Sequence, residues 1–345
     1  MSSTLSWRLT QIEPYESDAT DQKLLSALQK DCRISNTDIA HTLRISKASV
    51  TYRIRRLEEK KIIHGYLTHV DIFKLGFRGV LIRLSVNGPP ARQKECAELL
   101  AHHPQVLSVY TAFRPFNLMI GVIYETENDL SSFLSFIKKN LGVSNYEVVS
   151  LQAYSAMSVD YSQKNVEIFS RKNNYSVPKK QTFTLVPFHA ALLGLLSRHA
   201  RKTVTQLAEE THTHKSTVKK ALNDLVNQKI IIKFTASVNP YSIPGTFLAA
   251  WWMSFPDADE IRRLRTWLHE KKCSNGFVQA VGKYNVIAFT FFHSPQSLAS
   301  FEESFNEQFP HCTDYRMELL KEQAKSEWFS PFMEERLLSR MKETK

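Results

Sequence analysis

The sequence predicts an α+β protein in which one two-part unit occurs twice along the chain. Each unit begins with three short helices and continues with strands and helices in the order βαββαβ. Three observations support this prediction. One residue offset aligns most of the chain with itself, apolar residues follow a helical spacing in the first part of each copy, and apolar strand-like runs alternate with helices in the second part.

The repeat is visible when the chain is aligned with itself so that Arg33 meets Arg201. The same register then pairs, without a gap, Leu57 with Leu225, Lys61–Ile63 with Lys229–Ile231, and Phe116–Ile123 with Tyr284–Phe291. A single offset that persists from the helical part into the strand-rich part is hard to obtain by chance. We infer that one unit has been duplicated.

The first part of each copy predicts a helix-turn-helix domain. In copy one the helices are expected at roughly Asp21–Asp31, Ser35–Leu43 and Ser46–Lys60. Ser35 and Ser46 each precede an apolar-periodic run and are good N-caps. The short bend at Arg44–Ser46 has the length of the turn in a helix-turn-helix. After Gly65 the chain becomes strand-like, which predicts a short strand or wing.

The second part of each copy predicts a ferredoxin-like domain. In copy one strands are expected over Gly79–Val86, Gln105–Ala112, Asn117–Tyr124 and Asn145–Ala156, with helices over Ala91–His103 and Glu127–Leu141. This order predicts a four-stranded antiparallel sheet with both helices on one face. The other face needs a cover. We expect the second copy to supply it within the chain, with swapped pairing between chains as the alternative.

These patterns divide the chain into six segments. We predict a helix-turn-helix domain over 1–66, a ferredoxin-like domain over 67–160, a linker over 161–187, a second helix-turn-helix domain over 188–234, a second ferredoxin-like domain over 235–322 and a C-terminal tail helix over 323–345. The linker is polar, basic and flanked by proline, with little periodicity. The tail is amphipathic, and we expect it to serve packing or assembly.

Composition indicates a globular protein with a polyanionic partner. Hydrophobic residues make up 43% of the chain and charged residues 23%, while the net charge of +11 favours nucleic acid. The four cysteines are far apart, which is typical of reduced thiols. The N-terminus lacks the apolar run of a signal peptide, and the most apolar stretch, Gly245–Phe255, is too short to span a bilayer. We therefore expect a cytoplasmic protein.

The third helix of copy one carries the features of a DNA recognition helix. Val50, Ile54 and Leu57 form the apolar stripe that packs it onto its partner helices. Short polar and basic residues occupy the remaining positions, where they can reach phosphates and base edges. The residues predicted to contact DNA in this copy are Ser46, Lys47, Ser49, Thr51, Tyr52, Arg53, Arg55 and Arg56.

The third helix of copy two keeps this polarity but not its arginines. Arg53, Arg55 and Arg56 correspond to Ala221, Asn223 and Asp224. The residues predicted to contact DNA are Lys215, Ser216, Thr217, Lys219, Lys220 and Asn223. Copy two is therefore expected either to hold DNA mainly through phosphates or to be a structural remnant.

The segment Asp21–Phe77, and within it "RIRRLEEKKIIHGY" at Arg53–Tyr66, resembles the N-terminal domain of the leucine-responsive regulatory protein (Lrp/AsnC) family. The following βαββαβ unit resembles that family's effector-binding and oligomerisation domain. The resemblance extends over both copies and is weaker in the second. It implies a sequence-specific, double-stranded-DNA-binding transcriptional regulator in a tandem-duplicated form, which assembles as a homo-oligomer (dimer or tetramer) and responds to a small effector such as an amino acid.

The family often carries Gly-x-Tyr-Asp at the turn between the second and third strands of the sheet domain. Copy one has Phe113–Asn117 at this turn and copy two has Gly282–Asn285, so both depart from the motif. The resemblance therefore implies the effector-binding candidates Arg114, Asn117, Gly282, Tyr284 and Asn285. A plain β-hairpin turn is the alternative for both sites.

Two other functions remain open. Sirohaem decarboxylases resemble the same two-domain fold, and such an enzyme would need no basic recognition helix; a non-specific architectural DNA-binding protein would differ mainly in specificity. The glycines form no phosphate-binding or dinucleotide-binding loop, and His212 and His214 have no third metal ligand nearby in the sequence. We expect no enzyme activity, no cofactor, no metal site and no membrane association.

Overall fold

The protein is described by a computed structural model that covers residues 5–8, 15, 17–113, 115–156, 185–242 and 245–343. Most of the predicted linker over 161–187 lies outside these residues, as does the effector candidate Arg114. The elements within the described residues are numbered in chain order.

Copy one begins with the short strand β1 (Leu5–Arg8) and the helices α1 (Ala19–Lys30), α2 (Asn36–Leu43) and α3 (Lys47–Glu59). The strand β2 (Ile63–Val70) follows. Next come β3 (Arg78–Val86), α4 (Pro90–His102), β4 (Val106–Ala112), β5 (Leu118–Tyr124), α5 (Glu127–Leu141) and β6 (Val143–Ala156). These bounds confirm the predicted helices and strands to within a turn or less.

Copy two repeats this order. It comprises α6 (Pro187–Arg198), α7 (Val204–Glu210), α8 (Lys215–Asn227), β7 (Ile231–Val238), β8 (Phe247–Ser254), α9 (Ala258–Lys271), β9 (Ser274–Val281), β10 (Val286–Phe292), α10 (Pro295–Gln308) and β11 (Asp314–Ser326). The tail helix α11 (Pro331–Glu343) ends the described chain. Two three-helix units, the first head (α1–α3) and the second head (α6–α8), therefore each precede a βαββαβ unit.

The two βαββαβ units share one sheet, which corrects the prediction of two separate four-stranded sheets. Copy one contributes the strand order β4-β5-β3-β6 and copy two the order β9-β10-β8-β11. The units join where β6 pairs with β9 and where β11 pairs with β4, both antiparallel. These two junctions close an eight-stranded barrel-like sheet, because each edge strand finds its missing hydrogen-bond partner in the other copy.

The barrel separates an inner core from two outer cores. Residues of both copies face inward, among them Leu81, Met119, Trp252 and Ile287. On the outside, α4 and α5 cover the strands of copy one, while an aromatic-rich cluster under α9 and α10 covers those of copy two. The inner face predicted to need a cover is therefore covered within one chain, by the opposite half of the barrel.

The strands that follow the two heads pair with each other. β2 and β7 form an antiparallel two-stranded ribbon, separate from the barrel. The head of each copy also bonds to the strand of the other: the Cys32 amide donates to the Phe234 carbonyl at 3.1 Å, and the Ala200 amide donates to the Tyr66 carbonyl at 3.3 Å. The predicted wings thus connect the copies.

The tail helix α11 packs against the second head and against copy one. Phe329, Met333 and Leu337 are buried in the apolar cluster of the second head. Arg336 donates to Asp129 at 2.8 Å, at the start of α5. The helix is shorter than the tail helix predicted over 323–345, because β11 continues to Ser326 and α11 begins at Pro331. Among the described residues no helix is both long and apolar enough to cross a membrane.

The ribbon carries a buried pair of basic side chains. His69 of β2 lies directly opposite Lys233 of β7, and the two residues are 7% and 8% exposed. Desolvation lowers the pKa of Lys233 from 10.5 to about 7, although Cys32 and Asp31 partly offset it. Desolvation, reinforced by Lys233, holds the pKa of His69 well below 6.5.

We expect Lys233→Met to stabilise the protein in a pH-dependent way. The unfolded chain protonates this lysine below pH 10.5 and the folded chain only below about 7, so wild-type stability falls as the pH drops between these values and then levels off. The variant should gain about 2–3 kcal/mol in unfolding free energy at pH 7 and much less at pH 10. Urea unfolding at both pH values measures this difference, with exposed Lys139→Met as the control. Equal gains at the two pH values would contradict it.

Candidate nucleic-acid interface

The exposed side of α3 presents a small group of cationic, hydroxyl and aromatic side chains. Lys47, Thr51, Tyr52 and Arg55 are exposed, and Tyr52 is 64% exposed despite its large ring. Arg55 lies 2.8 Å from Glu59 one turn away, in a solvent-exposed pair that contributes little to stability. The Arg55 guanidinium is therefore available to an anion at small energetic cost.

The N-terminus of α3 is capped by a side chain and exposed to solvent. The Ser46 hydroxyl accepts from the Ser49 amide at 3.0 Å, as its N-cap position predicted. Thr51 donates to the Lys47 carbonyl at 3.0 Å and accepts from the Asn36 side chain at 3.1 Å, which links α3 to α2. The exposed backbone N–H groups of this first turn are suited to a phosphate oxygen.

Arg53 and Arg56 take a different place from the one predicted for them. Both point back to α1, where Asp21 is completely buried. Arg53 donates to Asp21 at 2.6 Å and to Asp18 at 2.7 Å, while Arg56 donates to the other Asp21 oxygen at 2.9 Å. The side chains of these arginines are 22% and 35% exposed, against 78% for Arg55. Their primary contacts are therefore internal, and they fasten α3 to α1.

The Asp21 cluster, consisting of Asp21 with Tyr15, Asp18, Arg53 and Arg56, was missed in the sequence. Tyr15 donates to Asp21 at 2.7 Å and also bonds to Arg56. Burial and the neighbouring carboxylate raise the pKa of Tyr15 to about 12. A signal was present, since Asp21 falls on the same helical stripe as Leu24, Leu25 and Leu28. An acidic residue on a buried stripe requires a cationic partner.

Copy two carries different residues at three positions of this cluster. At the positions of Asp21, Arg53 and Arg56 it carries His189, Ala221 and Asp224. His189 is 8% exposed; desolvation lowers its pKa, and the charge of Asp224 acts in the opposite direction. Copy two thus places an imidazole and a carboxylate where copy one has a carboxylate and a guanidinium. The missing arginines of copy two therefore reflect a different internal contact.

The exposed side of α8 is at least as cationic as that of α3. Its predicted DNA-binding residues are all exposed: Lys215, Ser216, Thr217, Lys219, Lys220 and Asn223. Lys219 and Lys220 occupy the positions of Thr51 and Tyr52, so copy two gains two cations where it loses Arg55. Unlike Ser46, the N-cap His214 makes no side-chain capping bond. The two helices present different chemistry on the same scaffold.

Two reciprocal arginine contacts set the position of the heads relative to each other. Arg33 donates to the carbonyls of Ala200 and Lys202 at 2.7 and 2.8 Å, and its guanidinium lies over the Phe234 ring at 5.1 Å. Its repeat equivalent Arg201 lies over the Tyr66 ring, also at 5.1 Å, and donates to the Asn36 side chain at 3.1 Å. The heads are therefore joined by a pseudo-two-fold interface.

The side-chain amides of the two asparagines in the predicted effector-binding turns form hydrogen bonds with backbone groups. Asn117 accepts from the Val86 amide and donates to the Val86 carbonyl, both at 2.9 Å. Asn285 makes the same pair of bonds to Phe255, at 2.9 and 2.7 Å. Each asparagine thereby holds its hairpin turn against the end of the first strand of its unit.

Of the remaining candidates, Gly282 lies against β6 and Tyr284 lies beside the buried Arg83. Gly282 has φ +152°, and a Cβ there would lie 2.7 Å from Val149, which accounts for the glycine. Tyr284 is buried and 3.3 Å from Asp314, and its ring faces the Arg83 guanidinium at 5.3 Å. Arg83 also lies 4.6 Å from the Phe116 ring of the other turn. The two turns therefore meet at one place in the barrel.

Comparisons with known proteins agree with this organisation. Residues 17–64 match the winged helix-turn-helix DNA-binding domain family, and residues 190–231 match the IclR helix-turn-helix domain family. The HTH-type transcriptional regulator LrpA of Pyrococcus horikoshii is 34% identical over 118 residues, which cover 34% of this chain and 83% of that protein. The HTH-type transcriptional regulator AldR of Mycolicibacterium smegmatis is 29% identical over 120 residues, or 34% of this chain and 70% of that protein.

A solved structure extends the fold similarity to both copies. The sirohaem decarboxylase NirDL superposes with a TM-score of 0.58 at 16% sequence identity, covering 94% of this chain and 100% of that chain. At this level of identity the similarity concerns the fold. It relates the tandem arrangement of heads and sheet units here to a known architecture.

Proposed function

Because the chain belongs to the Lrp/AsnC family of DNA-binding transcriptional regulators, we propose that it holds DNA with both of its heads, as a covalently fused pair of regulator protomers. The first head would contact DNA through Lys47, Ser49, Thr51, Tyr52 and Arg55, with Ser46 presenting the helix N-terminus. The second would contact DNA through Lys215, Ser216, Thr217, Lys219, Lys220 and Asn223. Arg53 and Arg56 would act by positioning α3.

The observation that carries this proposal is the exposure of cations on both α3 and α8, which belong to heads joined by direct contacts. A helix in the major groove needs free side chains at its N-terminal half and an apolar face locked to its neighbours. Both helices meet this requirement, although only α3 combines an arginine with an exposed aromatic ring. We expect the first head to supply more base readout and the second more phosphate contact.

The test is fluorescence anisotropy on a duplex from the region upstream of the protein's own coding sequence, with a scrambled duplex as reference, across a salt series. Wild-type protein should bind selectively and weaken steeply with salt. Lys47→Ala/Arg55→Ala should reduce the log–log salt slope by about 2 and relax selectivity, while Lys215→Ala/Lys219→Ala/Lys220→Ala should reduce it by about 3 and retain selectivity.

Exposed Arg316→Ala, on the barrel, is the matched control for loss of positive charge. It should leave the affinity within about twofold of wild type. A salt slope unchanged by the triple lysine variant would show that the second head does not contact DNA. Binding without any preference for the natural duplex would favour an architectural protein.

Assembly, effector and location are further parts of the proposal. Two chains would form a symmetric dimer on a longer, spaced DNA site, as expected for a regulator with two heads per chain. A small effector would modulate binding, and the protein would act in the cytoplasm without catalysing a reaction. Sedimentation of the protein with and without its selected duplex measures the assembly directly.

A tetrapyrrole enzyme is the second candidate, and the full-length fold similarity to a sirohaem decarboxylase is the observation that favours it. Such an enzyme should bind iron-uroporphyrin tightly, with a shift of the Soret absorption band at one equivalent. We expect no saturable shift. A one-to-one shift together with the absence of DNA binding would move the assignment to the enzyme.

A further inference from the structure

A cavity of about 480 Å³ lies between the β2–β7 ribbon and the barrel sheet. The ribbon contributes Leu67, His69, Lys233 and Thr235, while barrel strands of both copies contribute residues that include Tyr110, Tyr154 and Phe289. The volume falls in the range of small-molecule sites, which are mostly apolar with a few placed polar groups. The DNA-binding residues described above do not line it.

The ribbon side of the cavity carries two basic groups that oppose each other. His69 and Lys233 are cross-strand partners, so their side chains lie on the same face of the ribbon. His69 is more than nine-tenths buried, and its Nδ1 has no hydrogen-bond partner among the described residues. The unpartnered Nδ1 of His69 and the desolvated amine of Lys233 both cost free energy. An anion between them would relieve both costs.

The adjacent wall is aromatic. The Trp328 ring stacks on His69 with centroids 4.3 Å apart, and the Tyr154 ring lies 4.4 Å from Trp328. Tyr110 and Phe289 form a second pair at 5.9 Å. Flat rings contributed by β4, β6, β10 and the segment after β11 offer stacking surfaces to a planar ligand.

We propose that this cavity binds a small planar conjugated carboxylate, with its rings against Trp328 and Tyr154 and its carboxylate between His69 and Lys233. The basic residues lining the cavity are His69, Lys233, Arg262 and Arg265, against the acids Asp71 and Glu327. These four basic side chains are enough for a ligand with one carboxylate. They are too few for a macrocycle that carries many carboxylates. The aromatic side chains that line the cavity indicate a planar ligand, and the two basic side chains indicate a carboxylate.

The strands that line the cavity follow directly after the third helix of each head, so a bound ligand can change how the heads are positioned. β2 begins at Ile63, shortly after α3 ends at Glu59, and β7 begins at Ile231, shortly after α8 ends at Asn227. The strands that hold His69 and Lys233 thus continue directly from the two DNA-facing helices. This regulatory consequence rests on the DNA-binding function proposed above, whereas ligand binding itself does not.

The test titrates the full chain with 2-naphthoate and with fluorescent pyrene-1-carboxylate, in the absence of DNA. The neutral amides, 2-naphthamide and pyrene-1-carboxamide, are the matched ligands. At least one acid should bind with one-to-one saturation, about tenfold tighter than its amide. Lys233→Met and His69→Phe should each weaken acid binding about tenfold and leave amide binding nearly unchanged. Met retains the length of the lysine side chain without its amine, and Phe retains a flat ring without the imidazole nitrogens.

Far-ultraviolet circular dichroism verifies that both variants are folded, and Lys139→Met is the control for loss of a lysine elsewhere. Failure of both acids to saturate, or unchanged acid binding in Lys233→Met and His69→Phe, would overturn the proposal. Because this assay contains no DNA, it tests ligand binding independently of the DNA-binding proposal. Anisotropy on the upstream duplex with and without the bound acid then measures the coupling.

Discussion

Asp21→Ala is expected to unfold the first head selectively. The substitution removes a fully buried carboxylate and leaves Arg53, Arg56 and Tyr15 without their shared partner. Loss of one member of a buried charge cluster costs about 3–5 kcal/mol, and we expect about 3 kcal/mol because both arginines are partly exposed. Affinity for the upstream duplex should fall to what the second head alone supplies.

Hydrogen exchange followed by peptide mass spectrometry measures this effect within one molecule. Protection should be lost over 19–59 and retained over 187–227, where the second head has no equivalent of the Asp21 cluster. The second head therefore serves as the internal control. Equal loss of protection in both heads, or no loss in either, would contradict the role assigned to Asp21.

A double substitution tests whether the pairing of the two positions or the carboxylate alone stabilises the first head. Asp21→His combined with Arg56→Asp places the copy-two pair into copy one. We expect the double variant to be more stable than Asp21→His alone, with a coupling energy of about 1–2 kcal/mol. Additive effects of the two substitutions would show that the positions do not communicate.

Arg33→Ala and Arg201→Ala are expected to release the heads from each other. Arg33 is partly buried, and its removal leaves the carbonyls of Ala200 and Lys202 without a charged donor. At Arg201 the lost contacts are hydrogen bonds to Asn36 and to the Tyr66 hydroxyl. With one cation–π contact also lost at each site, we expect each substitution to cost about 2–3 kcal/mol in stability. The heads would then no longer be held at one spacing.

The DNA consequence should appear only on sites that engage both heads. On a duplex selected from a random pool by wild-type protein, each variant should lose about tenfold in affinity, while binding to a duplex with one half-site should change less than about twofold. Arg33→Lys should not restore wild-type binding, since an ammonium cannot reproduce the guanidinium fork or its stacking. Equal losses on both duplexes would mean that the arginines contact DNA directly.

Predictions from local patterns were the most accurate. Three features depend on residues only a few positions apart: the periodic apolar stripe of α3, the caps at Ser35 and Ser46, and the apolar run within Arg78–Val86. The helix-turn-helix units and the βαββαβ order were therefore available from the sequence. The repeat register also predicted which residues of the two copies would be equivalent.

Predictions that required a partner elsewhere in the chain were less accurate. Arg53 and Arg56 were expected to face DNA together with Arg55, but α1 supplies a buried carboxylate to the first two and none to the third. Helical spacing gives the direction of a side chain and not what lies opposite it. The predicted effector asparagines likewise bond to strand ends that only the folded sheet brings to them.

The sequence by itself determined that the chain repeats one unit, made of three helices and a βαββαβ segment, and that the third helix has an apolar stripe beside basic positions. These features follow from short-range periodicity and from a constant residue offset between the copies. Only the tertiary structure decided that two sheets close into one barrel, that β2 and β7 pair, and that Arg33 and Arg201 join the heads. The physical reason is that strand edges and buried charges take their partners from distant segments. Because the two copies are nearly equivalent, each strand edge could pair within its own copy or with the other one, and packing of the whole chain decides between them.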